Sequence, residues 1–268
     1  MKERQDLSRY GQHFMTDRVF IDRIITSAKI KKDETILEIG AGTGILTEEI
    51  AKTGCKVISY EIDRKFEKDH KILKKRYPNI TFIYEDALSS YLPAFDKIIA
   101  NIPYNISEPL MLKLSKTRFK EGILTVNKSF ADKMLNQPKA ESLLSLVMPA
   151  YFRIEHIADV PKESFTPPPR VTSSVIRITP IRKEDLEDNA ERYILRLLYD
   201  QRTRKAGNAL MEAIIDLKSA KDNKRYTKKE SKETIRKADI DKKILDKKVI
   251  MLSIQELKTI LRSSNLSL

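Results

Sequence analysis

Tryptophan is absent from this 268-residue chain, and cysteine occurs once. The lone Cys55 excludes an internal disulfide framework and a cysteine-ligated zinc site, and it fits a reducing, cytoplasmic setting. No run of ~18 apolar residues occurs, so no membrane span is expected. The start, Met1-Lys2-Glu3-Arg4-Gln5-Asp6, has no apolar stretch behind it, so no secretory signal is read there. Acidic residues fall short of basic ones: 38 Asp and Glu stand against 51 Lys and Arg, a net charge of +13. Such an excess fits a nucleic-acid partner, because neutralised phosphates reward Lys and Arg, and it fits a Lys-biased surface equally well. What the chain does have is 41% hydrophobic residues, enough for a sizeable core, which excludes a wholly disordered polymer.

Periodicity divides the chain. Val19, Phe20, Ile24 and Ile25 recur near helical spacing, with Asp17 as a cap. From residue 35 to 126 apolar β-type runs (Thr35–Ile39, Lys56–Tyr60, Ile80–Tyr84, Lys97–Ala100, Ile123–Val126) alternate with helix candidates at Ile45–Lys52, Arg64–Arg76 and Pro109–Lys116. That alternation predicts an α/β domain with a parallel sheet and helices on both faces. Phe152–Val160 and Val171–Ile178 alternate apolar and polar residues and flank a Pro-rich turn, which predicts an antiparallel pair closing the sheet edge. After Pro180 only short helical patterns remain. The expected division is an α/β domain over 1–182 and a small α-helical domain over 183–268. Residues 1–180 carry 29 Lys and Arg against 23 Asp and Glu, whereas 181–268 carry 22 against 15, so the smaller part holds more than half of the excess. Within it, Lys218–Lys248 reads as a solvated helical pair. His70 falls in a charged helix and is expected to face solvent, and His156 reads as structural. No histidine has a partner for nucleophilic or metal chemistry, so no metal is expected.

Leu37-Glu38-Ile39-Gly40-Ala41-Gly42-Thr43-Gly44 follows the first strand and opens a helix. Gly40 and Gly42 permit a tight turn and a close ligand approach. Glu61, 21 residues after Gly40, ends the second apolar run, where a carboxylate can accept both hydroxyls of a ribose. Asp86, next to Ala87, follows the third strand, where it can accept from an adenine amine while Ile62 packs on the ring. Asp86 can equally cap the segment after it. The position three after Gly42 is Ile45, so this is not the dinucleotide fingerprint, and no Gly-Lys-Ser/Thr follows as a triphosphate loop would need. The pattern resembles motif I of S-adenosylmethionine-dependent methyltransferases.

Asn101-Ile102-Pro103-Tyr104 ends the fourth strand and matches a motif class of methyltransferases acting on exocyclic amines of nucleobases. The residue types suit that chemistry. The N6 lone pair of adenine is delocalised and poorly nucleophilic. The Asn101 side-chain oxygen and the Ile102 carbonyl can accept the two N6 hydrogens and draw the nitrogen toward tetrahedral geometry. Pro103 stiffens the turn, and Tyr104 offers a face for the target base. Positioning, rather than a strong base, carries such a reaction.

Four segments together resemble the KsgA-type small-subunit ribosomal RNA adenine dimethyltransferases. They are Arg9-Tyr10-Gly11-Gln12-His13-Phe14-Met15-Thr16-Asp17, the stretch from Asn101 to Pro109, Phe165-Thr-Pro-Pro-Pro-Arg-Val-Thr-Ser173, and Gln201-Arg202-Thr-Arg204-Lys205 with Asn208-Ala-Leu210. The resemblance implies a Rossmann-like, S-adenosylmethionine-binding catalytic domain and a small C-terminal α-helical domain that binds rRNA. It implies N6,N6-dimethylation of two adjacent adenosines in a hairpin loop near the 3′ end of small-subunit rRNA. The implied partner is the immature small ribosomal subunit, in a role in subunit biogenesis, and the implied state is a cytoplasmic monomer without a membrane. It places Gln12, His13, Met15 and Gly40 at the methionine end of the cofactor, Glu61 at the ribose and Asp86 at the adenine. Phe130 can stack on the far side of the target base, or serve as a core residue of the helix that presents Met134. Arg202, Arg204 and Lys205 are expected phosphate contacts. Asn127, Ser129 and Glu108 depart from the family pattern without touching the groups around N6. The related large-subunit rRNA adenine methyltransferases of the macrolide-resistance type share the Asn-Ile-Pro-Tyr core and remain an alternative, as does a non-catalytic ribosome-assembly or nucleic-acid-binding protein on the same fold. A DNA adenine methyltransferase fits less well, because Ile102 stands where Pro is usual and no large inserted domain is available.

Overall fold

The computed structural model describes residues 12–135, 143–186 and 189–264. They fall into two compact units, one of 12–135 with 153–180, the other of 143–152 with 181–264.

In the first unit, helix α1 (Arg18–Ala28) starts where the Asp17 carboxylate accepts from the Val19 N–H, and it buries Ile21, Ile24 and Ala28. Strands β2 (Thr35–Ile39), β3 (Lys56–Tyr60), β4 (Ile80–Ile83), β5 (Lys97–Asn101) and β6 (Glu121–Asn127) are separated by α2 (Ile45–Lys52), α3 (Glu67–Arg76) and α4 (Ser107–Leu114). With β7 (Phe152–Val160) and β9 (Ser173–Pro180) they form a seven-stranded sheet in the order β4-β3-β2-β5-β6-β9-β7. The neighbouring pairs from β4 through β6 are all parallel. Strand β9 returns antiparallel to β6, from Gly122 opposite Ile178 to Asn127 opposite Ser173. Central strand residues Ile36, Leu37, Ile98, Ile99, Ile123 and Leu124 are almost wholly buried, as continuous apolar runs in a covered parallel sheet should be.

A two-stranded ribbon completes this unit. Strand β1 (Phe14–Met15) pairs antiparallel with β8 (Phe165–Thr166), placing Phe14 opposite Thr166 and Met15 opposite Phe165. The Thr16 N–H donates to the Ser164 carbonyl at 2.9 Å. The Ser164 hydroxyl donates to Asp17, so the cap of α1 is also the anchor of this ribbon. Helix α5 (Lys128–Leu135) follows β6.

The second unit is helical. Helix α7 (Ala190–Asp200) is capped by Asn189, and α8 (Ala206–Asp222), α9 (Lys228–Lys237), α10 (Lys242–Asp246) and α11 (Ile254–Ser264) follow. Tyr193, Leu198, Leu210, Ile214, Leu217, Ile260 and Leu261 form its core. Helix α6 (Leu143–Val147) and the turn Met148–Ala150 belong here too. Leu144, Val147, Met148 and Ala150 are buried, and the turn packs on α7. The expected division at 182/183 cuts the chain once, whereas this packing also brings 143–152 into the helical unit. In α9 only Ser231 is buried, its hydroxyl donating to the Met211 carbonyl, and the Thr227–Glu230 capping box starts the helix. Among the described residues no helix is long and apolar enough to cross a membrane.

Candidate active site

The site lies beyond the carboxyl ends of the parallel strands. After β2 the chain turns through Gly40 and Gly42, whose φ angles are +85° and +52°. The Gly40 and Ala41 N–H groups both donate to the Tyr60 carbonyl, at 2.8 and 3.1 Å, tying the turn to the end of β3. Phe14, carried in by β1, packs so closely that a Cβ on Gly42 would lie 2.6 Å from its ring. Glycine is therefore required at 42 by both backbone and space. Glu61 is buried, and its carboxylate accepts from the Gly42 N–H and the Asp63 N–H, each at 2.8 Å.

His70 closes the other side of the turn. It is 1% exposed, which corrects the expectation of a solvent-facing residue. Its ring lies 4.1 Å from that of Phe82 and parallel to it. Its Nε2 donates to the Gly42 carbonyl at 2.8 Å, and its Nδ1 lies 3.0 Å from the Tyr84 hydroxyl. Burial pushes its pKa below the ordinary histidine value.

Asn101, the last residue of β5, donates from Nδ2 to the His13 carbonyl at 2.8 Å. His13 in turn donates from Nδ1 to the Pro167 carbonyl at 2.9 Å. The Ile102 N–H is engaged by the Thr125 carbonyl. The Tyr104 hydroxyl and Ser173 Oγ are 2.6 Å apart, and the Tyr104 ring lies 5.9 Å from that of His13. Three sequence motifs thus brace one another: the amino-terminal segment, the Asn-Ile-Pro-Tyr loop and the Phe165–Ser173 segment.

A cavity of about 260 Å³ joins these groups. Of the expected cofactor residues, Gln12, His13, Gly40, Gly42, Glu61, Ile62, Asp86, Ala87 and Asn101 line it, together with Ile102, Pro103 and Tyr104 from the catalytic loop. Two expected residues are not among its lining. Met15 is buried in the core beside Ile21, Ile24 and Phe165, because its place in β1 turns it inward from the site. Phe130 is half-buried on α5. Sequence reasoning missed Phe14, Tyr60, His70 and Ser173 as site-building residues. Ser173 stood inside a quoted motif, but nothing in the spelling pointed to Tyr104.

S-adenosylmethionine fits this cavity on the evidence of its walls. The buried Glu61 carboxylate suits a ribose diol. Asp86 Oδ1 accepts from the Leu88 N–H at 2.9 Å, so it does cap its turn, and Oδ2 remains to accept from an amine. Ile62, 48% exposed and lining the cavity, is an apolar surface without a core to join. Behind the turn, Glu38 is fully buried and accepts from Thr47 and Ser59 at 2.6 Å each, while burial pushes its pKa up to about 7. Among the described residues no cluster suited to a metal ion occurs.

In the helical unit, Arg204 forms a two-pronged pair with Glu212 at 2.6 and 2.8 Å, and Lys205 pairs with Asp246 at 3.1 Å. The Arg202 guanidinium lies 5.4 Å from the centre of the Tyr199 ring.

Comparison with known proteins agrees with this geometry. The family model described as ribosomal RNA adenine dimethylase matches residues 4–243. A probable ribosomal RNA small subunit methyltransferase A of Methanopyrus kandleri is 34% identical over 212 residues, covering 76% of this chain and 75% of that protein. The ribosomal RNA small subunit methyltransferase A of Thermotoga neapolitana is 37% identical over 171 residues, covering 63% and 66%. The crystal structure of a dimethyladenosine transferase from Plasmodium falciparum matches with a TM-score of 0.64 at 27% identity, over 94% of this chain and 98% of that one. The 23S rRNA methyltransferase ErmE shares the fold, with a TM-score of 0.62 at 22% identity over 94% and 99%. The chain belongs to the ribosomal RNA adenine dimethylase family, S-adenosylmethionine-dependent enzymes that act on rRNA.

Proposed function

We propose that the protein dimethylates N6 of two adjacent adenosines in a hairpin loop near the 3′ end of small-subunit rRNA, acting on the immature subunit as a cytoplasmic monomer. The observation that carries this reading is the fixed orientation of Asn101. Its Nδ2 is committed to the His13 carbonyl, so its Oδ1 is the atom left to accept an N6 hydrogen. The neighbouring Ile102 carbonyl accepts the second. Bound S-adenosylmethionine supplies an electrophilic methyl group on a sulfonium sulfur. Glu61 and Asp86 hold its ribose and adenine, while Gln12, His13, Gly40 and Gly42 surround its methionine end. Tyr104, held by Ser173, presents its ring to the target base. Phe130 closes over the base from the other side when RNA is bound. Arg202, Arg204 and Lys205 contact phosphates, the last two by exchanging Glu212 and Asp246 for RNA. The relatives named for the small subunit favour that substrate over large-subunit rRNA.

The test is transfer of labelled methyl groups from S-adenosylmethionine to purified small subunits that lack the modification. Two adjacent dimethyladenosines in the small-subunit RNA are expected. Transfer to large-subunit RNA alone would overturn the substrate.

A further inference from the structure

We propose that His70 is a positioning residue for the cofactor: a neutral imidazole strut between the glycine turn and the strand end that carries Asp86. The inference rests on the assignment of the cavity to S-adenosylmethionine. Helix α3 is mostly charged and exposed, with Leu73 half-buried against the core, and His70 is the one residue it fully buries. A buried polar ring in such a helix needs partners, and it has one on each nitrogen.

The Gly42 carbonyl can only accept, so Nε2 carries the hydrogen of that 2.8 Å bond. In the neutral ring Nδ1 is then an acceptor, and the Tyr84 hydroxyl, 3.0 Å away, donates to it. The ring lies flat on Phe82, with Phe66 at 6.1 Å, so apolar faces surround the imidazole and keep it uncharged. The acidic groups that bear on it are Glu61, on the other side of Gly42, and Asp69 on its own helix.

The consequence falls on one residue, Gly42, whose two flanking peptides are held from opposite sides. The Gly42 N–H is held by Glu61 Oε2 and the Gly42 carbonyl by His70 Nε2, both at 2.8 Å. If the carbonyl is released, the φ and ψ of Gly42, which no side chain restricts, lose one of their two anchors, and the N–H that holds the Glu61 carboxylate is placed less firmly. Tyr84 lies two residues before Asp86, so the same strut ties the ribose end of the cavity to the adenine end. Glu61, left with the Asp63 N–H as its remaining firm anchor, would have to be ordered in part by the cofactor itself, and the affinity would fall.

Two variants separate a hydrogen-bonding strut from simple packing. His70→Gln keeps an N–H that can reach the Gly42 carbonyl and loses the aromatic stack. His70→Phe keeps the stack and loses the donor. Equilibrium binding of S-adenosylmethionine, without RNA, is the readout. Affinity is expected to fall about tenfold in His70→Phe and less than about threefold in His70→Gln. In turnover the KM for S-adenosylmethionine should rise while the KM for RNA stays put. Wild-type affinity in His70→Phe, or an equal loss in both variants, would overturn the proposal. Should His70→Phe not fold, Tyr84→Phe carries the test, with weaker binding expected and unchanged binding overturning it. Failure of the wild-type protein to bind S-adenosylmethionine would instead refute the cavity assignment.

Discussion

Asn101 and His13 are 88 residues apart in sequence, yet the Asn101 amide nitrogen sits 2.8 Å from the His13 carbonyl. That bond decides which end of the amide faces the cavity. Asn101→Ala removes the acceptor without disturbing Glu61 or Asp86. Methyl transfer should fall ~100-fold or more, the scale of losing one preorganised group in a transition state, while S-adenosylmethionine binding changes only a few-fold. Asn101→Asp should fare no better, because an ionised carboxylate has no hydrogen for His13 and sets oxygen against oxygen. Single-turnover rates beside equilibrium binding constants would check both. Full activity in either variant would refute the role.

The Tyr104–Ser173 bond gives a second test. Ser173 is fully buried at the start of β9, and at 2.6 Å it fixes the tilt of the Tyr104 ring. Removing Ser173 leaves a half-buried phenol without its partner, which costs ~1–3 kcal/mol. Tyr104→Phe leaves the fully buried Ser173 hydroxyl without that partner and should cost a similar amount. The two changes share one interaction, so the double variant should be no worse than Ser173→Ala alone. A double-mutant cycle on kcat/KM for RNA measures this, and strict additivity would show that the bond does not matter to the reaction.

How far these features could be read from sequence depends on how local their causes are. The parallel strands were legible because Thr35–Ile39, Lys56–Tyr60 and their successors carry their burial in their own composition. Glu61 and Asp86 were legible because strand ends and the glycine turn set fixed spacings. The β1–β8 ribbon was not, because two residues make no period and its cause is a pairing across 150 residues. Met15 was misplaced for the same reason: only its pairing with Phe165 shows that it faces the core. His70 was misread because α3 looks like a solvated helix, while the rings that bury its one fully buried residue, Phe66, Phe82 and Tyr84, come from outside that helix. The packing of 143–152 with the later helices likewise has no local signal.

Glu38 predicts a pH dependence. Burial pushes its pKa up to about 7, against an ordinary 4.5, and the Thr47 and Ser59 hydroxyls only partly oppose this. The folded protein therefore holds the proton more tightly than the unfolded chain. The contribution of Glu38 is fully present below pH 4.5, falls as pH rises, and levels off above 7. At 1.36 kcal/mol for each pKa unit, the loss is on the order of 3 kcal/mol. Glu38→Gln has no such proton to lose, so its stability relative to wild type should rise between pH 5 and pH 8. Denaturant unfolding of both proteins at those two pH values would check it. A constant difference would mean that Glu38 is not titrating there.

The charge excess makes the final prediction. The helical unit is the more basic, but its expected phosphate contacts are not equivalent. Arg204 is held by Glu212 on two hydrogen bonds and Lys205 by Asp246, so a phosphate must displace a carboxylate from each. Arg202 rests against the Tyr199 ring, and a cation–π contact can survive while the outer edge of the guanidinium meets a phosphate. Arg202→Ala should therefore lower the slope of log affinity against log salt by about 1, the value of one phosphate contact. Arg204→Ala together with Glu212→Ala removes a neutral pair and should change the slope much less. Filter binding of small-subunit RNA across a salt series measures both. If Arg202→Ala leaves the slope at the wild-type value, the excess of positive charge on this unit serves something other than that contact.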